Sequence, residues 1–183
     1  MTMLSAILAA ALAQASPAAA PAEPAPVPPA PLPASDAVAL FVRMCVSTLP
    51  DPAAFARSLS NSGIAWTAYE QPHREPGVGG NYWRAAQGEL AYLYRRNADG
   101  SGPNPACELS FRTVADADQA STTATVAAAL GLGAGQRDGA ATRWETRLAN
   151  NTEVRVTLAP ADGLGGPALR LAMFAWRLPP SFE

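Results

Sequence analysis

The sequence predicts an α+β domain in which an antiparallel sheet of about six strands carries helices on one face. Apolar periodicity, start signals and alanine content predict helices near residues 36–46, 52–60 and 118–130. Two groups of three segments instead alternate apolar and polar residues, which is typical of half-buried strands. Short turns separate the strands within each group, and strands joined in this way pair antiparallel.

The first two helices are predicted from their start signals. Ser35 is a good N-cap for a helix over residues 36–46, and Asp51 followed by Pro52 starts a second helix that Gly63 ends. One face of the first helix is apolar and turns a cysteine inward: Val38, Phe41, Val42 and Cys45. We expect this face to pack on the sheet.

The first group of strands follows the second helix. Residues 64–69 are interpreted as a short strand in addition to the three of the group, and residues 82–86 and 89–96 predict a hairpin that turns at Gln87-Gly88. That turn would pair Trp83 with Tyr92 and Ala85 with Leu90. Residues 107–112 alternate strictly, with these three side chains directed inward: Cys107, Leu109 and Phe111.

The second group follows the alanine-rich third helix and comprises residues 141–148, 152–159 and 168–177. A three-residue loop over 149–151 keeps the apolar and charged faces separate, whereas a two-residue Asn-Asn turn would mix them. Asparagine also tolerates the left-handed conformation that such a loop needs. The preferred loop gives three cross-strand pairs: Trp144–Val156 on the inner face, and Arg147–Glu153 and Glu145–Arg155 on the outer face.

The order of elements also fits a duplicated helix-plus-three-strands unit, ααβββ–αβββ. Trp83 and Trp144, the Asp-Gly turns, and residues 107–111 and 169–173 recur at separations of 61 to 63 positions. The alternative is that such turns and strands recur by chance. Tandem units of this kind resemble, in general layout, the β-lactamase inhibitory proteins, a family of secreted bacterial inhibitors. The sequence contains no motif of that family, so the resemblance implies the architecture alone.

The N-terminal composition predicts export to the periplasm or the medium. Residues 1–13 combine a short apolar segment with an Ala-x-Ala-like cleavage signature and are interpreted as a signal peptide, although their start lacks Lys or Arg. Residues 14–34 are rich in proline and alanine and predict a disordered spacer, and residues 35–183 form a single domain. The alternative is an alanine-rich disordered N-terminus that is not cleaved.

The two cysteines predict one disulfide bond, Cys45–Cys107, because paired thiols usually bridge in an oxidising compartment. The alternative is a pair of buried thiols. A bridge closing a loop of 62 positions would stabilise the fold by roughly 4 kcal/mol in the chain-entropy model.

Several classes of function are disfavoured by composition. The net charge of −2 argues against a nucleic-acid-binding protein, and no apolar run is long enough for a transmembrane segment. With one histidine and no cysteine cluster, a transition-metal site would need an unusual all-carboxylate donor set, and no metal or cofactor is predicted. The sequence contains no phosphate-binding glycine loop and no Gly-x-Ser-x-Gly elbow. An enzyme is therefore the less favoured class.

Two surfaces are candidates for binding. The first is the loop over residues 70–82, where His73 lies near Glu70 and Glu75; the alternative is a solvated loop without function. The second is the outer side of the last three strands, where packing of the aromatic residues under the C-terminus is favoured over a partner site. The residues proposed for binding are Tyr69, Arg74, Tyr82, Arg143, Arg155, Arg170, Phe174 and Trp176.

The predicted function is an exported binding or interaction domain of the cell envelope, whose partner is an envelope protein or a wall polymer. No catalytic residue is assigned. The alternative is a cell-envelope hydrolase that uses His73 with Glu70 or Glu75, or Ser62, in or near the loop over residues 70–82.

Overall fold

A computed structural model describes residues 28–71, 78–95, 104–114 and 119–177. The described elements comprise three α-helices and eight strands, and a π-helical turn at Val42–Val46 continues the first helix. The helices are α1 (Ala34–Phe41), α2 (Pro52–Ser60) and α3 (Gln119–Leu130). The strands are β1 (Thr67–Tyr69), β2 (Gly79–Ala85), β3 (Gly88–Arg95), β4 (Asn104–Arg112), β5 (Gln136–Asp138), β6 (Ala141–Arg147), β7 (Glu153–Pro160) and β8 (Ala168–Arg177).

The strands form one antiparallel sheet in the order β1-β2-β3-β4-β8-β7-β6-β5. The α+β class is therefore confirmed, but the prediction of about six strands is wrong. The two additional strands, β1 and β5, are three residues long and lie at opposite edges of the sheet. β1 falls within the possible short strand over residues 64–69, whereas β5 was not predicted, because a segment of three residues is too short for alternation to identify.

The sheet order is symmetric about its centre. Each half runs from helix to four strands, and the halves meet where β4 pairs with β8 and Leu109 lies opposite Leu171. Each half of the sheet therefore has four strands instead of the three predicted for each unit. A symmetric order is what a duplicated unit would produce, but duplication itself stays a prediction.

The core lies between the helices and one face of the sheet. The three side chains predicted to point inward from β4, Cys107, Leu109 and Phe111, are completely buried. They pack in one apolar cluster with side chains from all three helices, including Phe41, Phe55 and Val126. Among the described residues, the helices therefore cover this inner face and leave the opposite face of the sheet without a helix.

The disulfide Cys45–Cys107 is confirmed. It joins the π-helical turn to the central strand β4, with a Cα–Cα distance of 5.4 Å, and both residues are fully buried. The helix face predicted to carry Cys45 inward is the buried one, since Val38 and Phe41 also lie in the core.

The predicted start of the first helix is wrong, whereas that of the second is confirmed. α1 begins at Ala34, because the amides of Asp36 and Ala37 donate to the carbonyl of Pro33. The Ser35 hydroxyl donates to the Asp36 carboxylate instead of capping the helix. At α2, the Asp51 carboxylate accepts a 2.8 Å hydrogen bond from the amide of Ala53, as an N-cap residue does.

The two hairpins differ in how well their registers were predicted. β6 and β7 pair as expected, with Trp144 opposite Val156 and a left-handed residue in the loop, Asn151 at φ 64°. β2 and β3 turn one residue earlier than predicted, so that Trp83 lies opposite Leu90 instead of Tyr92. The partner of Trp83 on β3 is therefore shifted by two residues. Because side chains alternate with a period of two, Trp83 still lies on the predicted inner face.

Part of the proline-rich segment lies against the end of the sheet. The amide of Ala30 donates to the carbonyl of Ala86, and the amide of Leu32 donates to the carbonyl of Arg112, both at 2.8 Å. The predicted signal peptide and the first part of the predicted spacer, residues 14–27, lie outside the described residues.

Candidate functional site

The sheet face opposite the helices, here called the open face, carries outward side chains in regular rows. One row crosses β3, β4 and β8 through Glu89, Ser110 and Arg170. The neighbouring row crosses β1 to β4 through Tyr69, Tyr82, Ala91 and Glu108. Side chains in adjacent rows are within reach of one another across the sheet.

A depression on the open face, here called the central pocket, has a volume of about 280 Å³. Its floor includes the small side chains of Ala91 and Ser110, which leave space between larger neighbours. Tyr69 and Tyr82 border it on one side, and the loop from β7 to β8 borders it at Asp162. The charged residues that line it are Glu89, Glu108, Asp162 and Arg170.

Glu89 is held by two partners at the edge of the pocket. The Tyr69 hydroxyl donates to it at 3.0 Å, and Arg84 donates to its other oxygen at 2.6 and 2.8 Å. The Arg84 guanidinium also lies over the Tyr69 ring, 4.7 Å from its centroid. Burial and the neighbouring Glu89 carboxylate raise the pKa of Tyr69 to about 12, while Arg84 opposes this shift. Tyr69 is therefore a neutral hydrogen-bond donor at physiological pH.

Glu108 is the second carboxylate that lines the pocket. Its side chain is 14% exposed and accepts a 2.7 Å hydrogen bond from Arg95. Arg170 of β8 lies diagonally opposite Glu108 of β4. Its guanidinium nitrogen is 3.9 Å from the other Glu108 oxygen, and its side chain is 48% exposed. Since 3.9 Å is beyond hydrogen-bonding distance, Arg170 retains its donors for another group.

The half of the open face formed by β6–β8 carries cross-strand ion pairs. The two pairs expected from the loop length are present: Arg147 with Glu153 at 2.6 Å and Glu145 with Arg155 at 3.0 Å. Arg143 pairs with Asp138 of the unpredicted strand β5. Exposed pairs of this kind each contribute less than about 1 kcal/mol, so they organise the surface more than they stabilise the fold.

The structure brings some of the proposed binding residues together and separates others. Tyr69, Tyr82 and Arg170 line the central pocket, so the two surfaces proposed from sequence meet there. Arg143 and Arg155 lie on the same face but do not line this pocket. His73, Arg74 and Glu75 lie outside the described residues, and Glu70 is exposed.

The two aromatic residues proposed on β8 differ in exposure. Phe174 is half-buried and packs on a small apolar cluster of the open face that contains Leu93 and Ala106. Trp176 is 37% exposed, and the Arg177 guanidinium lies 6.0 Å from its ring. Complete burial of Trp176 is therefore not observed, and the C-terminal residues expected to cover it, 178–183, lie outside the described part of the chain.

Sequence reasoning missed the residues that form much of the pocket: Glu89, Glu108, Ser110 and Asp162. Glu89, Glu108 and Ser110 occupy outward positions of predicted strands, so their alternation was a usable signal. What the sequence did not supply was the pairing of β4 with β8, which places Arg170 beside Ser110.

Among the described residues, no three potential ligand side chains form a group suited to a metal ion. None of the described helices combines the length and apolar character that membrane crossing requires. No protein-family model, curated protein or solved structure matches the chain.

Proposed function

We propose that this protein is an exported binding domain of the cell envelope, periplasmic or secreted, and that it engages its partner through the open face. The observation that carries the proposal is the central pocket, which lies on the sheet face without a helix and is lined by paired charges and two tyrosines. Binding sites commonly combine a concave surface with a few convergent polar groups.

Two further observations support export. The Cys45–Cys107 bond is of the kind that persists in oxidising compartments. The first 13 residues have the apolar segment and the small-residue cleavage signature of a secretory signal.

The hydrolase alternative has less support. Both strand carboxylates that line the pocket, Glu89 and Glu108, are engaged by arginines. Binding is therefore the function that we propose.

Site-specific photo-crosslinking in the cells that make the protein tests this function. A photoreactive amino acid at Ala159, which lies opposite Arg170 on the open face but does not line the pocket, reports on this face. The same amino acid at Ala54 of α2 is the matched control, since both alanines are half-buried but lie on opposite sides of the sheet. We expect a discrete crosslinked product from position 159 and none from position 54.

Equal products from both positions would indicate non-specific contact. The absence of a product from position 159 would contradict the proposed binding face.

A further inference from the structure

We propose that the ligand of the central pocket is an uncharged saccharide chain of the kind found in wall polymers. This inference rests on the proposed function, because it names the ligand class of the same face. Four features carry it: compensated carboxylates, polar side chains without hydrogen-bond partners, an aromatic border, and two further cavities that share lining residues with the pocket.

The charge balance favours a neutral ligand. Although Glu89 and Glu108 both line the pocket, each is already neutralised by an arginine, Arg84 and Arg95 respectively. The remaining lining charges, Asp162 and Arg170, are opposite in sign. The charges at the pocket therefore balance, and its carboxylate oxygens can accept hydrogen bonds without a cation being required for neutrality.

The polar groups of the pocket match the chemistry of hydroxyls, which both donate and accept hydrogen bonds. The side chains of Ser110, Asp162 and Gln71 line the pocket and make no hydrogen bond to another described residue. Asp162 can only accept when ionised, Arg170 can only donate, and Ser110 and Gln71 can do both. A sugar ring presents several hydroxyls that can satisfy such a mixed set at once.

The aromatic border fits the apolar faces of a sugar ring. The Tyr69 and Tyr82 rings lie 6.0 Å apart with planes tilted by 53°. Their carbon faces supply apolar contact area beside the polar groups, and Tyr69 stays oriented through its hydrogen bond to Glu89.

Two other cavities share lining residues with the pocket, which favours a chain over a single sugar. A cavity of about 170 Å³ shares Glu89 and is also lined by Pro28 and Gly163. Another, of about 410 Å³, shares Asp162 and is also lined by Thr113 and Pro167. Residues of the β7–β8 loop line both cavities, so further units of a polymer have spaces near the pocket to occupy.

Isothermal titration calorimetry of the protein tests the inference with two uncharged probes, tetra-N-acetylchitotetraose and cellotetraose, and with the cation spermidine. We expect saturable binding of at least one oligosaccharide, and the preferred probe distinguishes an N-acetylated wall glycan from a plain glucan. Arg170→Ala should weaken this binding about tenfold or more, because it removes a charged hydrogen-bond donor.

Arg155→Ala is the matched control. Arg155 is also an ion-paired arginine of the open face, 41% exposed, but it does not line the pocket. Its loss should change the affinity less than about twofold. Asp162→Asn, in the β7–β8 loop, is a second pocket variant that should also weaken binding. It replaces Arg170→Ala in the test if that variant does not fold.

Three outcomes would overturn the inference: no binding of either oligosaccharide, binding of spermidine alone, or equal weakening by Arg170→Ala and Arg155→Ala. Crosslinking from position 159 without oligosaccharide binding would exclude the saccharide while leaving the binding face supported. Failure of both experiments would remove both proposals.

Discussion

At the scale of single residues, the open face is organised by side chains that hold each other in place. Tyr69 donates to Glu89, Arg84 pairs with the same carboxylate, and the Arg84 guanidinium covers the Tyr69 ring. Each contact is modest in free energy, but together they orient the tyrosine border of the pocket. The hydroxyl of Tyr69 is neutral in this arrangement because burial disfavours its charged form and because deprotonation would place a second negative charge beside Glu89.

This arrangement predicts a loss of stability at alkaline pH. The pKa of Tyr69 rises from 10.0 to about 12 in the folded protein. Between these values the unfolded chain releases the proton while the folded chain keeps it, so the free energy of unfolding falls as pH rises from 10 to about 12. Tyr69→Phe should reduce this fall, as measured by urea unfolding at several pH values.

The same variant should lose about 1 kcal/mol at pH 7, where it lacks the hydrogen bond to Glu89. Tyr92, whose pKa is also raised by burial, keeps part of the pH dependence in the variant. Tyr94→Phe, which removes a more exposed hydroxyl, is the control. An unchanged alkaline profile in Tyr69→Phe would contradict the assignment.

At the scale of elements, close backbone approach decides the β2–β3 register. Gly88 begins β3 at φ 149°, and a Cβ atom built there would collide with the carbonyl oxygen of Ser110 on β4. The glycine is therefore a strand residue opposite Ala85, and the turn falls at residues 86–87. The prediction placed Gly88 in the turn at Gln87-Gly88. It did not account for the close approach of Gly88 to Ser110 on β4.

Gly88→Ala is expected to destabilise the protein by about 2 kcal/mol or more, since the Cβ meets a backbone atom that side-chain motion cannot move away. Gly79→Ala, in the adjacent strand, is the matched control because a Cβ there meets no atom within 4 Å. Its effect should stay within about 0.5 kcal/mol. Urea unfolding of both variants measures the difference, and equal effects would show that the contact with Ser110 is unimportant.

At the scale of the whole molecule, one covalent bond joins the two layers. The Cys45–Cys107 bond connects the helical layer to β4, next to the centre of the sheet. The two cysteines are 62 positions apart, so the bond closes a loop that contains most of the first half of the domain. This loop runs from the end of the first helix to β4, the strand that pairs with β8. The bond therefore restricts the unfolded chain over a long loop.

Replacing both cysteines by alanine should lower the free energy of unfolding by roughly 4 kcal/mol in the chain-entropy model. Chemical denaturation of the double variant beside the oxidised and the reduced wild-type protein measures it. The reduced protein should lose a similar amount, which separates the effect of the bond from that of the side chains. A loss below about 1 kcal/mol would indicate that the bond adds little to the noncovalent core.

Local signals account for the parts of the fold that could be predicted. The Asp51 cap, the alternation in β4 and the β6–β7 register each depend on residues close together in the chain. The failures have equally specific causes. β5 is exposed along its whole length and gives no pattern, and the start of α1 depends on the Pro33 carbonyl, not on a capping side chain.

The candidate site was predictable only in part. Alternation identifies Arg170 as an outward residue, and Tyr69 and Tyr82 are candidates because they flank an irregular loop. Their meeting in one pocket depends on the β4–β8 pairing, which joins strands separated by α3 and three further strands in the chain.

The sequence by itself determined the α+β class, the disulfide partners and the inner faces of the principal strands, because periodicity and cysteine count are local or compositional properties. Only the tertiary structure decided the eight-strand order, the β2–β3 register and the composition of the central pocket. Each of these depends on contacts between distant segments, such as Gly88 with Ser110 or Ser110 with Arg170, whose pairing local periodicity does not encode.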